Sequence, residues 1–368
     1  RKNRGVVEKK WSRSMKLKFH DKAITGILIV LPSKEILFEE ELENYNFSVA
    51  KSMKLKMAMG YNKHRVVEDG TCVSDLCVHG LNYLFENNLL RRDEVDALLL
   101  VTQSPDHFMP ATSSIIQGKV GLGIDTFCMD INQGCCGFIV GLIEAFMLLE
   151  QECINKVVLL NADVLSRKVS KRDRNSNPLI GDAATITIVE KSMEPTVIHG
   201  LLKMDGTNAD ALMIPAGGFR LPTSDNTRQM VEDESGNFRS LDNLVMKGDE
   251  VFNFVQREVP PMIENLLHVA GCSKEHVDWY MFHQPNRFML HKLADKLGVP
   301  REKMPSNIVE NFGNASGATI PTNIGFNLGE RLMREQYVFC LAGFGVGLTW
   351  GALLLNIGCL SFNDIIYY

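Results

Sequence analysis

The stretch Asp130-Ile131-Asn132-Gln133-Gly134-Cys135-Cys136-Gly137-Phe138 runs from an apolar segment through a polar turn into an apolar helical pattern, and it sets a cysteine near the helix start. Unpaired backbone N–H groups and the helix dipole favour negative charge at such a position, so a thiol there ionises more readily and an oxyanion beside it is stabilised. A small buried residue at a tight strand-to-helix turn is the competing account of Cys135. Gly134, Gly137 and Gly141 weaken a helix and admit close approach of backbone or substrate. Cys135 and Cys136 are adjacent, so their side chains leave a helix roughly 100° apart and only one can face a site. His283 ends the apolar run Trp279–Phe282, ahead of a helix beginning near Asn286, and strand ends of this kind are where α/β proteins assemble sites. Asn314, in Asn311-Phe312-Gly313-Asn314-Ala315-Ser316-Gly317, can offer an amide donor from a glycine-flanked loop. Taken singly, a satisfied buried histidine accounts for His283 equally well, and a turn-forming asparagine better accounts for Asn314.

These residues need elements to position them. Short apolar runs (Ala23–Leu31, Ala97–Val101, Val157–Leu160) alternate with longer helical patterns (Ser74–Asn88, Gly134–Leu149), which argues for an α/β layered fold. Ser74 is placed to cap the first helix, and Cys77, Leu81, Leu84 and Phe85 share one of its faces. A weak internal repeat links Val95-Asp96 and the run to Thr102 with Val277-Asp278 and the run to His283, each followed by a glycine-bearing turn at Asn132–Gly137 or Asn311–Gly317. Two copies of one α/β unit, divided near residue 195 after the strand Ala183–Val189, with a site where they meet, is the expectation. The polar segment 205–248, with Pro215 and Pro222, reads as an extended loop serving as a lid or pocket wall.

The 368 residues carry Lys+Arg 39 against Asp+Glu 44, a net charge of -5, so no chain-wide basic field exists to hold nucleic acid or an anionic membrane. Cysteines 72, 77, 128, 135, 136, 153, 272, 340 and 359 lie mostly in apolar runs without C-x-x-C spacing, as expected of reduced thiols in the cytoplasm rather than disulfides or a zinc site. Adjacent thiols alone cannot make a tetrahedral metal cage. The segment from Gln336 to Asn363 carries no charge, but Gly343, Gly345, Gly347 and Gly351 interrupt it, so two buried strands joined by a glycine-rich turn are expected instead of a membrane span. Residues 1–14 are basic, lack an apolar core and do not start with Met, so no secretory signal is expected, and Met15 is a candidate natural start behind an added extension.

Cys135 in Gly-Cys-Cys-Gly-Phe, His283 in His-Gln-Pro-Asn, Asn314 in Asn-Phe-Gly-Asn-Ala-Ser-Gly and the run Gly343-Phe344-Gly345-Val346-Gly347-Leu348-Thr349-Trp350-Gly351 come in the order found in thiolase-fold condensing enzymes. From about Ala23 to about Asn356 the chain resembles the β-ketoacyl-acyl-carrier-protein synthase III type. The resemblance implies an α/β thiolase-like fold of two related halves, 15–195 with the nucleophile and 196–368 with His and Asn, stacked as α-β-α-β-α layers. It implies a homodimeric acyltransferase of fatty acid or related acyl-chain biosynthesis, without a metal or resident cofactor, whose substrates are coenzyme A and acyl-carrier-protein thioesters. Cys135 would accept the acyl group, and His283 and Asn314 would promote decarboxylation of a malonyl-thioester and stabilise the enolate. That chemistry matches the residue types: a thiolate for covalent acylation and two neutral donors for a thioester oxygen.

By the same resemblance the backbone N–H groups of Cys135 and Val346 form the oxyanion hole, although the family commonly has glycine at the second position. Phe344, Asn286, Met109 and Arg174 fall at substrate-binding positions: Phe344 flanks the malonyl site, Met109 reaches across a dimer interface, and Arg174 contacts the coenzyme A nucleotide. Arg174 belongs to the basic run Arg167–Arg174, most of which a solvated loop explains. The family's Trp and Arg adenine clamp has no counterpart in Lys54-Leu55-Lys56-Met57-Ala58-Met59-Gly60, which favours a carrier-bound donor. Arg287, Lys292 and Lys296 form a candidate docking patch for an acidic carrier protein, a solvated helix face being the plain alternative. Two rival functions stand beside condensation: acyl transfer to an oxygen or nitrogen acceptor, and a non-catalytic partner subunit, the latter disfavoured by the presence of Cys135.

Overall fold

Apolar at every position, the runs around Leu98 and Leu159 become strands buried on both faces, and they occupy the interior of a six-stranded sheet. The computed structural model describes residues 15–368, so the call on residues 1–14 lies outside the described residues. The strands of the two main sheets are β1 (Met15–His20), β2 (Lys22–Leu31), β3 (Ala97–Val101), β4 (Phe127–Ile131), β5 (Lys156–Asp163), β6 (Ala183–Lys191), β7 (Val197–Met204), β8 (Trp279–Phe282), β9 (Gln336–Gly345), β10 (Thr349–Gly358) and β11 (Phe362–Tyr367). The helices are α1 (Val49–Met59), α2 (Val73–Glu86), α3 (Thr112–Val120), α4 (Gly137–Leu148), α5 (Gly248–Ala270), α6 (Arg287–Leu297), α7 (Ile308–Phe312) and α8 (Thr319–Leu328).

One sheet has the order β11-β2-β6-β5-β3-β4 and the other β1-β7-β10-β9-β8. Helix α4 is apolar nearly all round, as a helix buried between two layers must be, and with α8 it packs between the sheets. Helices α2 and α3 cover the outer face of the first sheet, and α5 and α6 that of the second. The result is the five-layer α-β-α-β-α stack of the thiolase-like fold.

The repeated Val-Asp pairs hold equivalent places. Asp96, just before β3, accepts from the N–H groups of Asn155 and Lys156 at 2.7 and 3.0 Å, pinning the start of the parallel neighbour β5. Asp278, just before β8, accepts from Val338 N–H at 2.8 Å in its parallel neighbour β9. The chain ends cross over: β1 pairs with β7 in the second sheet, and β11 pairs with β2 in the first.

One local expectation is corrected and one holds. Helix α2 is capped by Cys72, whose N–H is taken by the Asp75 carboxylate at 2.9 Å, whereas the Ser74 hydroxyl receives Lys119 Nζ at 3.0 Å. An acidic side chain three residues on satisfies the free N–H at the cap better than a hydroxyl already inside the first turn can. The glycine-rich C-terminal run forms β9 and β10 joined by a turn at 346–348, and no helix of the described residues is long and apolar enough to cross a membrane.

Candidate functional site

Strand β4 ends at Ile131, α4 begins at Gly137, and the turn between them carries Cys135. Cys136 is the N-cap and packs into the core at 1% exposure, whereas Cys135 lines two cavities of about 490 and about 250 Å³. Gly345, at the end of β9, passes so close that a Cβ there would lie 2.7 Å from the Cys135 sulfur; only glycine lets this strand meet that thiol.

The first cavity brings together Cys135, His283, Asn286, Asn314 and Phe344, and extends to Leu55, Met59, Phe252 and Phe288. Phe288 is partly exposed and stacks on Phe252 with ring centres 5.7 Å apart, so this end reaches the surface. The second cavity holds Cys135, Asn314, Ser316 and Val346 against Leu212, Met213, Ile214, Leu244 and Met246. The polar segment 205–248 is therefore a wall of the second cavity. Most charges of the basic run Arg167–Arg174 are exposed, as a solvated loop would have them, yet Arg172, Asp173 and Arg174 also fasten that wall. Arg172 stacks over Phe238 at 3.6 Å, and Arg174 Nη1 donates to Ser235 O and Asn237 Oδ1 at 2.7 and 3.0 Å. Asp173 receives Arg239 at 2.8 Å.

Burial pushes the Cys135 thiol up to about 11, against the direction expected from the helix start; the N–H groups of Val346 and of Cys135 itself pull the other way. Both of these donors thus bear on the sulfur. Burial also pulls His283 down to about 3, so its imidazole is neutral. Its Nδ1 lies 2.7 Å from Thr319 Oγ1, and its ring meets Phe344 edge-on at 5.9 Å. Asn314 Oδ1 accepts from Ser316 N–H at 2.9 Å, which leaves the NH2 end as a donor for the cavity. Asn286 Oδ1 accepts from Met289 N–H at 2.8 Å, capping α6 at the cavity edge.

The loop carrying Asn314 is braced from behind. Ile180 forms a parallel bridge with Asn314, and the Ile180 carbonyl is engaged by His64 Nδ1. His64 Nε2 lies 3.4 Å from Glu41, which also accepts from Asn177 at 2.7 Å. Burial opposes charge on both groups, yet their hydrogen bond and attraction outweigh it, holding His64 above and Glu41 below the ordinary range. The His64 contribution is full below its unfolded-state pKa and is lost as pH rises through the raised folded value. The Glu41 contribution is present above its unfolded-state pKa and is lost as pH falls through the lowered one. Glu41→Ala is expected to reduce stability by about 3 kcal/mol in a denaturant titration, since it leaves a buried partner uncompensated; a change near zero would show that the pair is dispensable.

Other positions stand apart from both cavity linings. Met109 is 82% exposed beside Phe108, which touches Phe219 at 5.6 Å. On α6, Arg287 is ion-paired with Glu310, Lys296 donates to Gln256 O at 2.7 Å, and Lys292 lies over the Phe288 ring at 5.7 Å. Sequence reasoning passed over Gln103, Asp163, Ser316 and Thr319; only the position of Ser316 two residues after Asn314 could have drawn attention to one of them.

Two family models match the chain: 3-oxoacyl-[acyl-carrier-protein] synthase III over residues 129–206, and the C-terminal part of the same synthase over residues 267–357. The chain is 31% identical over 357 residues to a putative 3-oxoacyl-[acyl-carrier-protein] synthase 3 of Campylobacter jejuni, covering 96% of this chain and 99% of that protein. It is 31% identical over 298 residues to the β-ketoacyl-[acyl-carrier-protein] synthase III of Lactococcus lactis, covering 80% of this chain and 88% of the other. Among solved structures, a 3-oxoacyl-(acyl-carrier protein) synthase from Burkholderia xenovorans superposes with a TM-score of 0.89 at 32% identity, over 97% of this chain and 100% of that one.

Proposed function

The chain belongs to the 3-oxoacyl-[acyl-carrier-protein] synthase III family, and from that membership we propose that Cys135, His283 and Asn314 carry its condensation reaction. The enzyme is a condensing transferase of fatty acid biosynthesis or related acyl-chain priming. In the proposed cycle, the Cys135 sulfur attacks an acyl-thioester, and the N–H groups of Cys135 and Val346 hold the oxyanion. The donor's thiol leaves and the acyl chain remains on Cys135, directed into the second cavity. A malonyl-thioester then enters the first cavity past Phe288 and Phe344.

The single Thr319 hydroxyl proton lies within reach of both the Ser316 carbonyl, at 2.9 Å, and His283 Nδ1, at 2.7 Å; in the proposed cycle it is turned to Nδ1 as a hydrogen bond, the Ser316 carbonyl keeping the Thr319 N–H. The imidazole then presents Nε2–H, and with the Asn314 amide it holds the thioester oxygen as CO2 departs and the enolate forms. The enolate carbon attacks the acyl-enzyme carbonyl and frees Cys135. The observation that carries this reading is the convergence of the nucleophile from one half with His283, Asn314 and Phe344 from the other on one cavity.

The acyl donor is proposed to be carrier-bound, because Arg174 is engaged by Ser235 and Asn237 of the cavity wall and the segment 54–60 offers no Trp or Arg. A homodimer is proposed on the exposed apolar surface of Phe108, Met109 and Phe219, which is of the kind that partners cover. Nine free cysteines suit a reducing compartment such as the cytoplasm. Lys292, with Arg287 and Lys296 beside it, is the proposed contact for an acidic carrier.

Incubation with a panel of acyl-coenzyme A and acyl-carrier thioesters, followed by intact mass and peptide mapping, tests the reading. An acyl adduct on Cys135, formed faster from carrier donors, is expected. Absence of any adduct would favour the non-catalytic partner, and an adduct discharged to an amine or alcohol without CO2 would favour simple acyl transfer.

A further inference from the structure

Two buried groups beside the nucleophile have no role in the cycle above. Asp163, the last residue of β5, is 2% exposed and is held by hydroxyls and one amide: Gln103 N–H at 2.8 Å, Ser104 Oγ at 2.9 Å and Thr102 Oγ1 at 3.3 Å. All three fall on Oδ1. Ser316 is 4% exposed, lines the second cavity with Cys135, and its Oγ has no hydrogen-bond partner. Its backbone sits at φ +53°, an unfavourable conformation for a residue with a side chain, and Asn314 Oδ1 holds its N–H there. The Ser316 hydroxyl bears on both the Cys135 thiol and the Asp163 carboxyl, lowering the pKa of each, and the Asp163 charge reaches Cys135. Ser316 shares the second cavity with Cys135, and its turn packs on β5, the strand that Asp163 ends, so a strained, buried hydroxyl without a hydrogen-bond partner adjoins both groups.

We propose that the Cys135 proton passes through the Ser316 hydroxyl to Asp163 when the thiol attacks the acyl donor. The assignment rests on the nucleophilic role of Cys135 proposed above. The S–H bond breaks as Ser316 Oγ accepts its proton and releases its own to the Asp163 carboxylate. The sulfur's electron pair forms the new S–C bond, the donor's C–S bond breaks, and the departing thiolate recovers the proton from Asp163 along the same path. No other reactant is needed.

The energetics favour this acceptor over the imidazole. Burial raises Asp163 to about 7, whereas it lowers His283 to about 3. A proton leaving a thiol near 11 therefore has a much shorter climb to Asp163, and an acceptor near the working pH is the effective one. The groups facing Asp163 are otherwise neutral: the Gln103 amide and the Thr102, Ser104 and Ser316 hydroxyls.

The test is the alkylation rate of Cys135 by iodoacetamide in the full chain, followed by intact mass and peptide mapping from about pH 5 to about pH 9, a range that brackets the Asp163 titration. The wild-type rate is expected to rise through about pH 7 as Asp163 ionises. Asp163→Asn should lose that rise and react about 10²-fold more slowly. A purely electrostatic role predicts the opposite sign, because removing the Asp163 charge eases thiol ionisation. Ser316→Gly keeps the positive φ without strain and removes the hydroxyl, so it should show the same loss in a protein that folds. Wild-type rates and pH profile in Ser316→Gly, or faster alkylation in Asp163→Asn, would overturn the relay. Iodoacetamide needs no acyl donor, so a normal profile without acyl loading would count against the proposed function and leave the relay standing.

Discussion

Cys135→Ala is expected to abolish covalent acyl loading and to lower condensation turnover by at least about 10³-fold, while Cys136→Ala loads normally. The two residues are neighbours in sequence, yet they sit on opposite sides of one structural boundary. Cys135 lines both cavities, and Cys136 is 1% exposed within the core between the sheets. The pair is therefore an internally controlled experiment. Cys136→Ala removes only a small buried sulfur and should cost about 1 kcal/mol of stability, without touching the chemistry. Intact mass after incubation with acyl-carrier thioester reads loading directly, and loading that persists in Cys135→Ala would overturn the assignment of the nucleophile.

The second large effect separates the two half-reactions. His283→Ala should lower decarboxylation and condensation by about 10²- to 10³-fold, the scale of losing one donor to a developing oxyanion, while acyl loading of Cys135 stays within about tenfold of the parent. Loading survives because the oxyanion of that step is held by backbone N–H groups rather than by the imidazole. Asn314→Asp is the informative partner, since it retains the Oδ1 that accepts from Ser316 N–H at 2.9 Å and removes the amide donor. It should show the same split. The readouts are CO2 release from malonyl-thioester and intact mass of the acyl-enzyme; equal loss in both would mean that the two residues act on the first step instead.

The layered architecture was legible because strands buried on both faces are apolar at every position, and because the Val-Asp pairs at 95–96 and 277–278 mark equivalent strand starts. The turns at Cys135 and Asn314 could be found from their glycines. Other features leave no local trace. The capping of α2 by Cys72 depends on which of two nearby polar side chains reaches the free N–H, and periodicity does not record that choice. The contacts of Arg172 and Arg174 with the cavity wall leave no mark in the basic run because the partners Phe238, Ser235 and Asn237 lie some sixty positions away along the chain, as the 61-residue separation of Arg174 and Ser235 illustrates. Asp163 resembles any acidic residue at a strand end until the fold sets Ser316 beside it. The helix-start argument for an acidic thiol failed in net direction because burial, which sequence cannot quantify, outweighs the two backbone donors.

The crossed chain ends bear on the order in which the molecule can be built. Strand β2 gains its second neighbour only when β11, residues 362–367, has been made, and β7 in the second sheet borders β1 from the other end of the described chain. The sheet that leads into Cys135 therefore keeps an open apolar edge throughout synthesis of the residues between β2 and β11. Each main sheet thus takes one edge strand from the opposite end of the described chain. A shortening at residue 361 would be felt first at β2, in the half that carries Cys135, rather than in the half that was cut.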